Sequence, residues 1–190
     1  MSVKGTQTEQ NLLKAFAGES QAANRYDYFA KIARKEDYVQ IAELFTETAD
    51  NERQHAKQFF KYLEGGMVEI TATYPAGILA STADNLIASA EGELEEWGEL
   101  YPDFAKVARQ EGFNNIADTF EAIMEAEKAH EARFRILYDK VVEGTVFVGE
   151  NGQEWKCGNC GYVTTGDTPP DLCPACVHPK AHFRKKDTNY

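Results

Sequence analysis

Shifted by 75 positions, the chain matches itself. Phe29-Ala30-Lys31-Ile32-Ala33-Arg34 falls on Phe104-Ala105-Lys106-Val107-Ala108-Arg109, and Ile41-Ala42 falls on Ile116-Ala117. Eleven of the 27 aligned positions from Phe29 to His55 are identical. A repeat of this length and composition predicts a duplicated helical hairpin. Each copy carries one Glu-x-x-His pair, Glu52 with His55 and Glu127 with His130, although the chain has only four histidines. Residues three apart project from nearly the same helix face. In the first copy that face is otherwise apolar, with Ile41, Leu44, Phe45 and Thr48 before the pair and Phe59 and Leu63 after it. An ionised carboxylate there is costly unless something compensates it. A bound metal would compensate it and would use the histidine as well. Two related ligand sets therefore predict a two-metal site between the copies.

The rest of the chain supplies further candidates. Thr6-x-x-Glu9 has the form of a capping box. The helix after it is expected to run to about Arg34, with Leu12, Phe16, Ala23, Tyr26 and Ala30 along its apolar stripe. Glu19 interrupts that stripe; an isolated Glu there is usually a stripe-edge residue, and its place in the duplicated hairpin and the helix-favouring run from Ala15 to Ser20 raise the reading as a ligand. The second helix is expected from about Asp37 to the stop at Gly65-Gly66. The β-branched, Pro-containing stretch from Met67 to Gly77 reads as a long crossover between the hairpins.

A third helix is expected from Ser81 or Thr82 to about Gly112, and a fourth from Asn114 to Glu143, stopped by Gly144. Glu93 takes the place of Glu19 with a slip: Glu19 lies ten residues before Phe29, Glu93 eleven before Phe104. One extra residue inside a helix predicts a π-bulge or kink, which Pro102 in the same interval would promote. Glu96, three residues after Glu93, could reach the same site. Glu91, Glu95 and Glu99 read as a solvated face.

Beyond Gly144 the character changes. Val146-Phe147-Val148 and Glu154-Trp155-Lys156 alternate around Asn151-Gly152, which predicts a β-hairpin. Cys157-x-x-Cys160 and Cys173-x-x-Cys176 follow, twelve residues apart, the spacing of a tetrahedral four-thiolate site. On spacing alone zinc and iron fit equally. His178 and His182 lie beyond a complete ligand set and are not expected to bind it. The expected division is therefore residues 1–145 and 146–190.

Net charge is −11 and argues against a nucleic-acid partner. The excess is uneven. Residues 151–190 hold five Lys/Arg and four Asp/Glu, whereas the first 150 hold 15 and 27. Metal cations inside the bundle would offset part of that difference. No apolar run approaches the ~20 residues of a membrane span, and no signal-peptide core opens the chain, so no membrane and a cytoplasmic location are expected. Clustered cysteines in such a chain favour metal over disulfides.

Taken together, these residues resemble the rubrerythrin family over nearly the whole chain. One Glu from each of two helices plus Glu-x-x-His from each of two others is the ligand pattern of di-iron carboxylate bundles. Cys157-x-x-Cys160-Gly161-Tyr162 with Cys173-Pro174-x-Cys176 resembles a shortened rubredoxin, which tips the four-thiolate site toward iron. The resemblance implies a mainly α, ferritin-like four-helix bundle with one long crossover, followed by a small rubredoxin-like β domain. It implies that Glu19 and Glu93 are terminal carboxylates, one per iron, and that Glu52 and Glu127 bridge. It also implies that His130 binds one iron, while the other takes Glu96 when oxidised and His55 when reduced. Tyr26 and Tyr101, on the inner stripes, read either as core or as hydrogen-bond donors to the ligands.

The implied function is a non-haem peroxidase that reduces hydrogen peroxide to water, with electrons relayed through the rubredoxin-type iron. No Gly-x-Gly-x-x-Gly follows a strand, so NAD(P)H would act only through a separate reductase or rubredoxin-like donor. A head-to-tail homodimer is also implied. The alternatives are a ferroxidase or iron-handling protein, and a non-catalytic bundle with a zinc-ribbon interaction module. The last leaves the inward carboxylates and histidines unexplained.

Overall fold

The computed structural model describes residues 1–187; the end of the expected 146–190 unit lies outside them. Five α-helices form the bundle: α1 (Gln7–Lys35), α2 (Val39–Phe60), α3 (Thr82–Glu95), α4 (Tyr101–Gln110) and α5 (Asn114–Val142). A π-helical turn, Glu96–Leu100, joins α3 to α4, so the two serve as one long helix and the bundle has four rods. α1 pairs with α2, and α3 and α4 pair with α5. The unpaired stretch between α2 and α3 is the long crossover of a ferritin-like bundle.

The repeat is visible in the backbone. Tyr38 N–H donates to Ala33 O, and 75 residues later Phe113 N–H donates to Ala108 O, each at 2.8 Å. Asp37 (φ 65°) and Gly112 (φ 85°) turn the chain at the same place in each copy. Asp is among the few non-glycine residues that tolerate that conformation, and it delays α2 to Val39.

Side chains at the helix ends fix how the rods meet. Thr6 Oγ1 accepts from Glu9 N–H at 3.1 Å, while the Glu9 carboxylate reaches Gly5 N–H at 2.8 Å, one residue further than in a regular capping box. Glu111, at the end of α4, accepts from the N–H groups of Gln7 and Thr8 and so places a negative charge at the start of α1. Glu36 does the same for Thr82 N–H at the start of α3. α2 ends at Phe60, before the expected Gly65-Gly66 stop. Tight i→i−3 bonds from Tyr62 and Leu63 close its last turn, and the Glu64 carboxylate binds Ser2 Oγ and Val3 N–H, drawing the chain to the N-terminus. α5 ends as expected. Gly144 takes φ 68°, Gly144 N–H bonds Val141 O and Thr145 N–H bonds Lys140 O, a Schellman closure.

Two apolar clusters fill the bundle, and the repeat relates them. Phe45 packs on Phe134 at 5.2 Å between ring centres, and Phe59 packs on Phe120 at 4.8 Å. Tyr26 covers the first pair and Tyr101, 75 residues later, the second. Each pair joins α2 to α5, one on either side of the polar residues between them.

In the tail, β1 (Glu154–Cys157) is the middle of a three-stranded antiparallel sheet, flanked by β2 (Val163–Thr165) and β3 (Phe183–Lys185). The expected hairpin with Val146–Val148 does not form. Both edges of β1 are already taken, and Phe147 instead stacks on Tyr38 of the bundle. Asn151-Gly152 does make a turn, closed by Gln153 N–H to Glu150 O. Arg184 donates to Glu43 of α2 at 2.8 Å and ties the sheet to the bundle. No helix among the described residues is long and apolar enough to cross a membrane.

Phe45 is fully buried and touches Tyr26, Phe29 and Phe134. Phe45→Ala should therefore lower stability by about 3–5 kcal/mol, measured by urea unfolding; a loss under about 1 kcal/mol would show that the cluster does not hold the hairpins together.

Candidate metal centres

Between the two phenylalanine pairs, α1, α2, α3 and α5 each turn a carboxylate inward. Glu19, Glu52, Glu93 and Glu127 are at most 1% exposed. His55 Nδ1 lies 2.9 Å from Glu52 Oε2, 2.9 Å from Glu127 Oε1 and 3.9 Å from Glu19 Oε2. His130 Nδ1 lies 2.8 Å from Glu127 Oε2, 3.2 Å from Glu52 Oε1 and 3.5 Å from Glu93 Oε2. Glu52 and Glu127 thus turn one oxygen to each histidine, while Glu19 belongs to one side and Glu93 to the other. The result is two overlapping donor groups, Glu19/Glu52/His55/Glu127 and Glu52/Glu93/Glu127/His130, each with its donor atoms within 4.8 Å of one another.

The outer carboxylates are held from behind by the phenols that were ambiguous in the sequence. Tyr101 donates to Glu19 Oε1 at 2.5 Å and Tyr26 donates to Glu93 Oε1. Burial and the neighbouring carboxylates hold both phenols well above their ordinary range, so they remain donors. The slip in the repeat acts here. The bonds cross between copies, and the π turn supplies the rotation that brings Glu93, one residue early, to the position facing Glu19. Its last bond runs from Tyr101 N–H to Glu96 O, and Pro102 brings no N–H of its own to continue a regular ladder.

The donor set fits a pair of cations. Glu19 Oε2, Glu52 Oε1, Glu93 Oε2, both Glu127 oxygens and His130 Nδ1 are buried and, although they crowd one another, make no well-aligned hydrogen bond; all belong to the two groups. So many unpaired polar atoms in one place are costly unless an ion binds them. Two divalent ions would match the four carboxylate charges. The protein field shows the same strain. Burial, then repulsion from Glu96, Glu127 and Glu52, pushes Glu19 well up. Burial and Glu52 push Glu93 to about 8. Burial alone would raise Glu127 and lower the histidines. Instead His130 and His55 pull Glu127 to about 2, while His55 is held at about 9 and His130 at about 12 by the carboxylates beside them.

Glu96 stands apart. It is half-buried on the π turn, outside both donor groups, with Oε1 4.0 Å from where a Cβ of Gly18 would sit. Burial and Glu93 push its carboxyl well up, against the pull of Arg25. Next to it, Trp97 Nε1 donates to Glu131 of α5 at 2.9 Å, anchoring the turn. The sequence signal for Trp97 was its place inside the slip; nothing in the sequence pointed to Arg25. Glu91, Glu95 and Glu99 are exposed, as expected of a solvated face.

In the tail, all four thiols converge, Cys157 Sγ to Cys176 Sγ at 3.8 Å and Cys160 Sγ to Cys173 Sγ at 3.6 Å. Four sulfurs about 2.3 Å from one tetrahedral ion would be about 3.8 Å apart. Each knuckle closes alike. Gly161 N–H bonds Cys157 O, Val177 N–H bonds Cys173 O, and both closing residues take positive φ. Cys157 and Cys173 are buried, whereas Cys160 is exposed. His178 and His182 are not in the four-thiol group; His178 Nδ1 sits against Cys176 O.

The rubrerythrin family model matches residues 10–138, and the rubrerythrin rubredoxin-like domain model matches residues 155–184. This chain belongs to the rubrerythrin family. It is 55% identical to a rubrerythrin of Nitratidesulfovibrio vulgaris, covering 100% of this chain and 99% of that protein. It is also 55% identical to a rubrerythrin of Porphyromonas gingivalis, covering 100% and 94%. Fully reduced, all-ferrous nigerythrin shares the fold with TM-score 0.64 and 31% identity over 97% of this chain and 92% of that one. The bundle is thus a rubrerythrin di-iron domain with a carboxylate and histidine cluster, and the tail carries a four-Cys rubredoxin-like site.

Deleting Gly98 should convert the π turn to regular helix and rotate Glu93 about 100° relative to α4. The helical circular dichroism should persist and the tail should keep its metal, while the bundle loses ions. Full bundle loading would show that the π turn does not set Glu93.

Proposed function

We propose that this chain is a non-haem di-iron peroxidase that reduces hydrogen peroxide to water, with electrons arriving through an iron in the four-thiolate site. The observation that carries the reading is that the two donor groups share Glu52 and Glu127. Ions held this way would be neighbours on one pair of bridges. Bound as a ferrous pair, they would supply Lewis acidity and the two electrons that O–O cleavage needs.

The chain's own residues would divide the work. Glu19 and Glu93 each give one oxygen to a tyrosine and keep the other for an ion. Glu52 and Glu127 would be shared by both ions, and His130 would hold the ion on the Glu93 side. On the Glu19 side His55 would serve the reduced state and Glu96 the oxidised state, because imidazole suits ferrous iron and a hard carboxylate suits ferric iron. When released, Glu96 can pass a proton to the leaving oxygen. Burial of the carboxylates keeps bulk water from the reacting bond.

The division into units falls at residue 145, and the exposed edge at Cys160 is where an outside donor would meet the tail. That donor is a rubredoxin-like carrier or an NAD(P)H-dependent reductase. Clustered thiols fit a reducing compartment, the cytoplasm. Within one chain the sheet rests near Glu43, nine residues and about 14 Å of helix before Glu52. A head-to-tail homodimer would bring one tail to the other subunit's bundle. Storage of oxidised iron would leave the tail without a task, which favours the peroxidase.

In anaerobic stopped-flow experiments, Cys160→Ser should block re-reduction of the bundle irons by an external donor while one prereduced turnover with peroxide survives; unimpaired steady turnover would refute the relay. Mixed dimers test the assembly. One partner lacks the tail cysteines and the other carries Glu52→Ala. Activity above both parent homodimers is expected, and its absence would count against transfer between subunits.

A further inference from the structure

Glu96 is half-buried. It forms part of the wall of a cavity of about 300 Å³ between α1, α3 and the crossover. Tyr101, which holds Glu19, shares that wall. A water or peroxide molecule needs roughly a tenth of this space, since water's share of the liquid is about 30 Å³. The volume lies at the lower end of the range, about 300–1,000 Å³, of small-molecule pockets.

The walls are suited to an organic group. Ala15 and Phe104 contribute apolar surface, as does Leu100 at the π turn. The outer wall is the crossover segment from Thr71 to Pro75. That segment has no regular structure, and Tyr74 is its one residue that is not exposed. Tyr74 donates to Lys14 O of α1 at 2.8 Å, which pins the wall in place. Two glycines on facing helices keep the space open. A Cβ on Gly18 would point between the Tyr74 ring, at 3.6 Å, and Glu96. A Cβ on Gly92 would meet nothing within 4 Å.

We propose that this cavity receives the organic group of a small alkyl or aryl hydroperoxide, whose O–O bond is presented at Glu96, so that the site reduces organic hydroperoxides as well as hydrogen peroxide. The proposal rests on the peroxidase reading. The O–O bond breaks, two electrons come from the same ferrous pair, and two protons are taken up. One oxygen leaves as water and the other as the alcohol, while both irons become ferric. A charged organic group is not required, because Arg25 is already bonded to Gln21 and the acidic Glu95 shares the cavity wall with Lys14 and Arg25.

The test compares cumene hydroperoxide with hydrogen peroxide in the iron-loaded full chain, with an external donor, for the native sequence and for Gly92→Leu and Gly18→Ala. The cavity-filling Gly92→Leu should lower kcat/KM for cumene hydroperoxide relative to hydrogen peroxide by about tenfold or more, and Gly18→Ala by less. Calorimetry on the oxidised protein adds a readout independent of turnover. 2-Phenyl-2-propanol, the product alcohol, should bind the native protein saturably, and Gly92→Leu should weaken it by a similar factor. Hydrogen peroxide turnover without cumene hydroperoxide turnover or alcohol binding would overturn the proposal and leave the peroxidase reading standing. Unchanged alcohol binding in both variants would place the alcohol elsewhere and overturn it too. Failure to reduce either peroxide would remove the peroxidase reading and this proposal with it.

Discussion

Four carboxylates and two imidazoles enclosed by a helical bundle form the constraint that the rest of this structure serves. Left to themselves, carboxylates this close would repel, take up protons or open the bundle. Here each is held by an element with its own reasons to stay. The Phe45–Phe134 and Phe59–Phe120 pairs clamp α2 to α5 on either side of the polar layer. Tyr26 and Tyr101 then occupy one oxygen each of Glu93 and Glu19. The remaining lone pairs converge on two points. A cation pair answers that arrangement better than protons could, since each imidazole Nδ1 has two or more carboxylate oxygens competing for its one proton.

Duplication explains most of the geometry, and its one imperfection explains the rest. A perfect repeat would place the second terminal carboxylate at residue 94, and Leu94 is there instead, partly exposed. Glu93 reaches the layer because the π turn after it absorbs the extra residue. The same turn carries Glu96 and Trp97, whose bond to Glu131 fixes the segment against α5. One half of the bundle therefore has a feature the other lacks, and this asymmetry falls where the proposed ligand exchange needs a mobile carboxylate. The two ends of the exchange also arrive from different rods, His55 from α2 and Glu96 from the π turn.

Much of this was legible in the sequence because it is written in spacing. The 75-residue offset, the Glu-x-x-His pairs, the slip before Pro102 and the two Cys-x-x-Cys knuckles are local or periodic signals. The structure brings ten of the eleven candidate ligands into three groups, with Glu96 beside them rather than among them. What escaped the sequence depended on partners far along the chain. Val146–Val148 has the alternation of a strand, but β2 and β3 occupy both edges of β1 and leave it no place. α2 stops short of its glycines because Glu64 is bonded to the N-terminal residues, more than sixty positions away. Whether Tyr26 and Tyr101 were core or donors could not be read from their stripe, since both answers use the same face.

The arrangement also separates the routes that the proposed chemistry would use. The bundle carboxylates are closed to solvent, and the cavity beside Glu96 opens between α1, α3 and the crossover. The tail meets the bundle elsewhere, on α2 through Arg184 and Glu43 and at Tyr38 through Phe147. Within one chain, the entrance beside Glu96 and the sheet that carries the thiolates thus lie against different parts of the bundle. That separation has a physical use. An oxidant that reached the exposed Cys160 edge as readily as the bundle would oxidise the relay before it delivered its electron, and thiolate sulfur is itself susceptible to peroxide. A cavity walled by α1, α3 and the crossover, with the sheet tied to α2, would let the carboxylate layer meet a peroxide before the thiolates did.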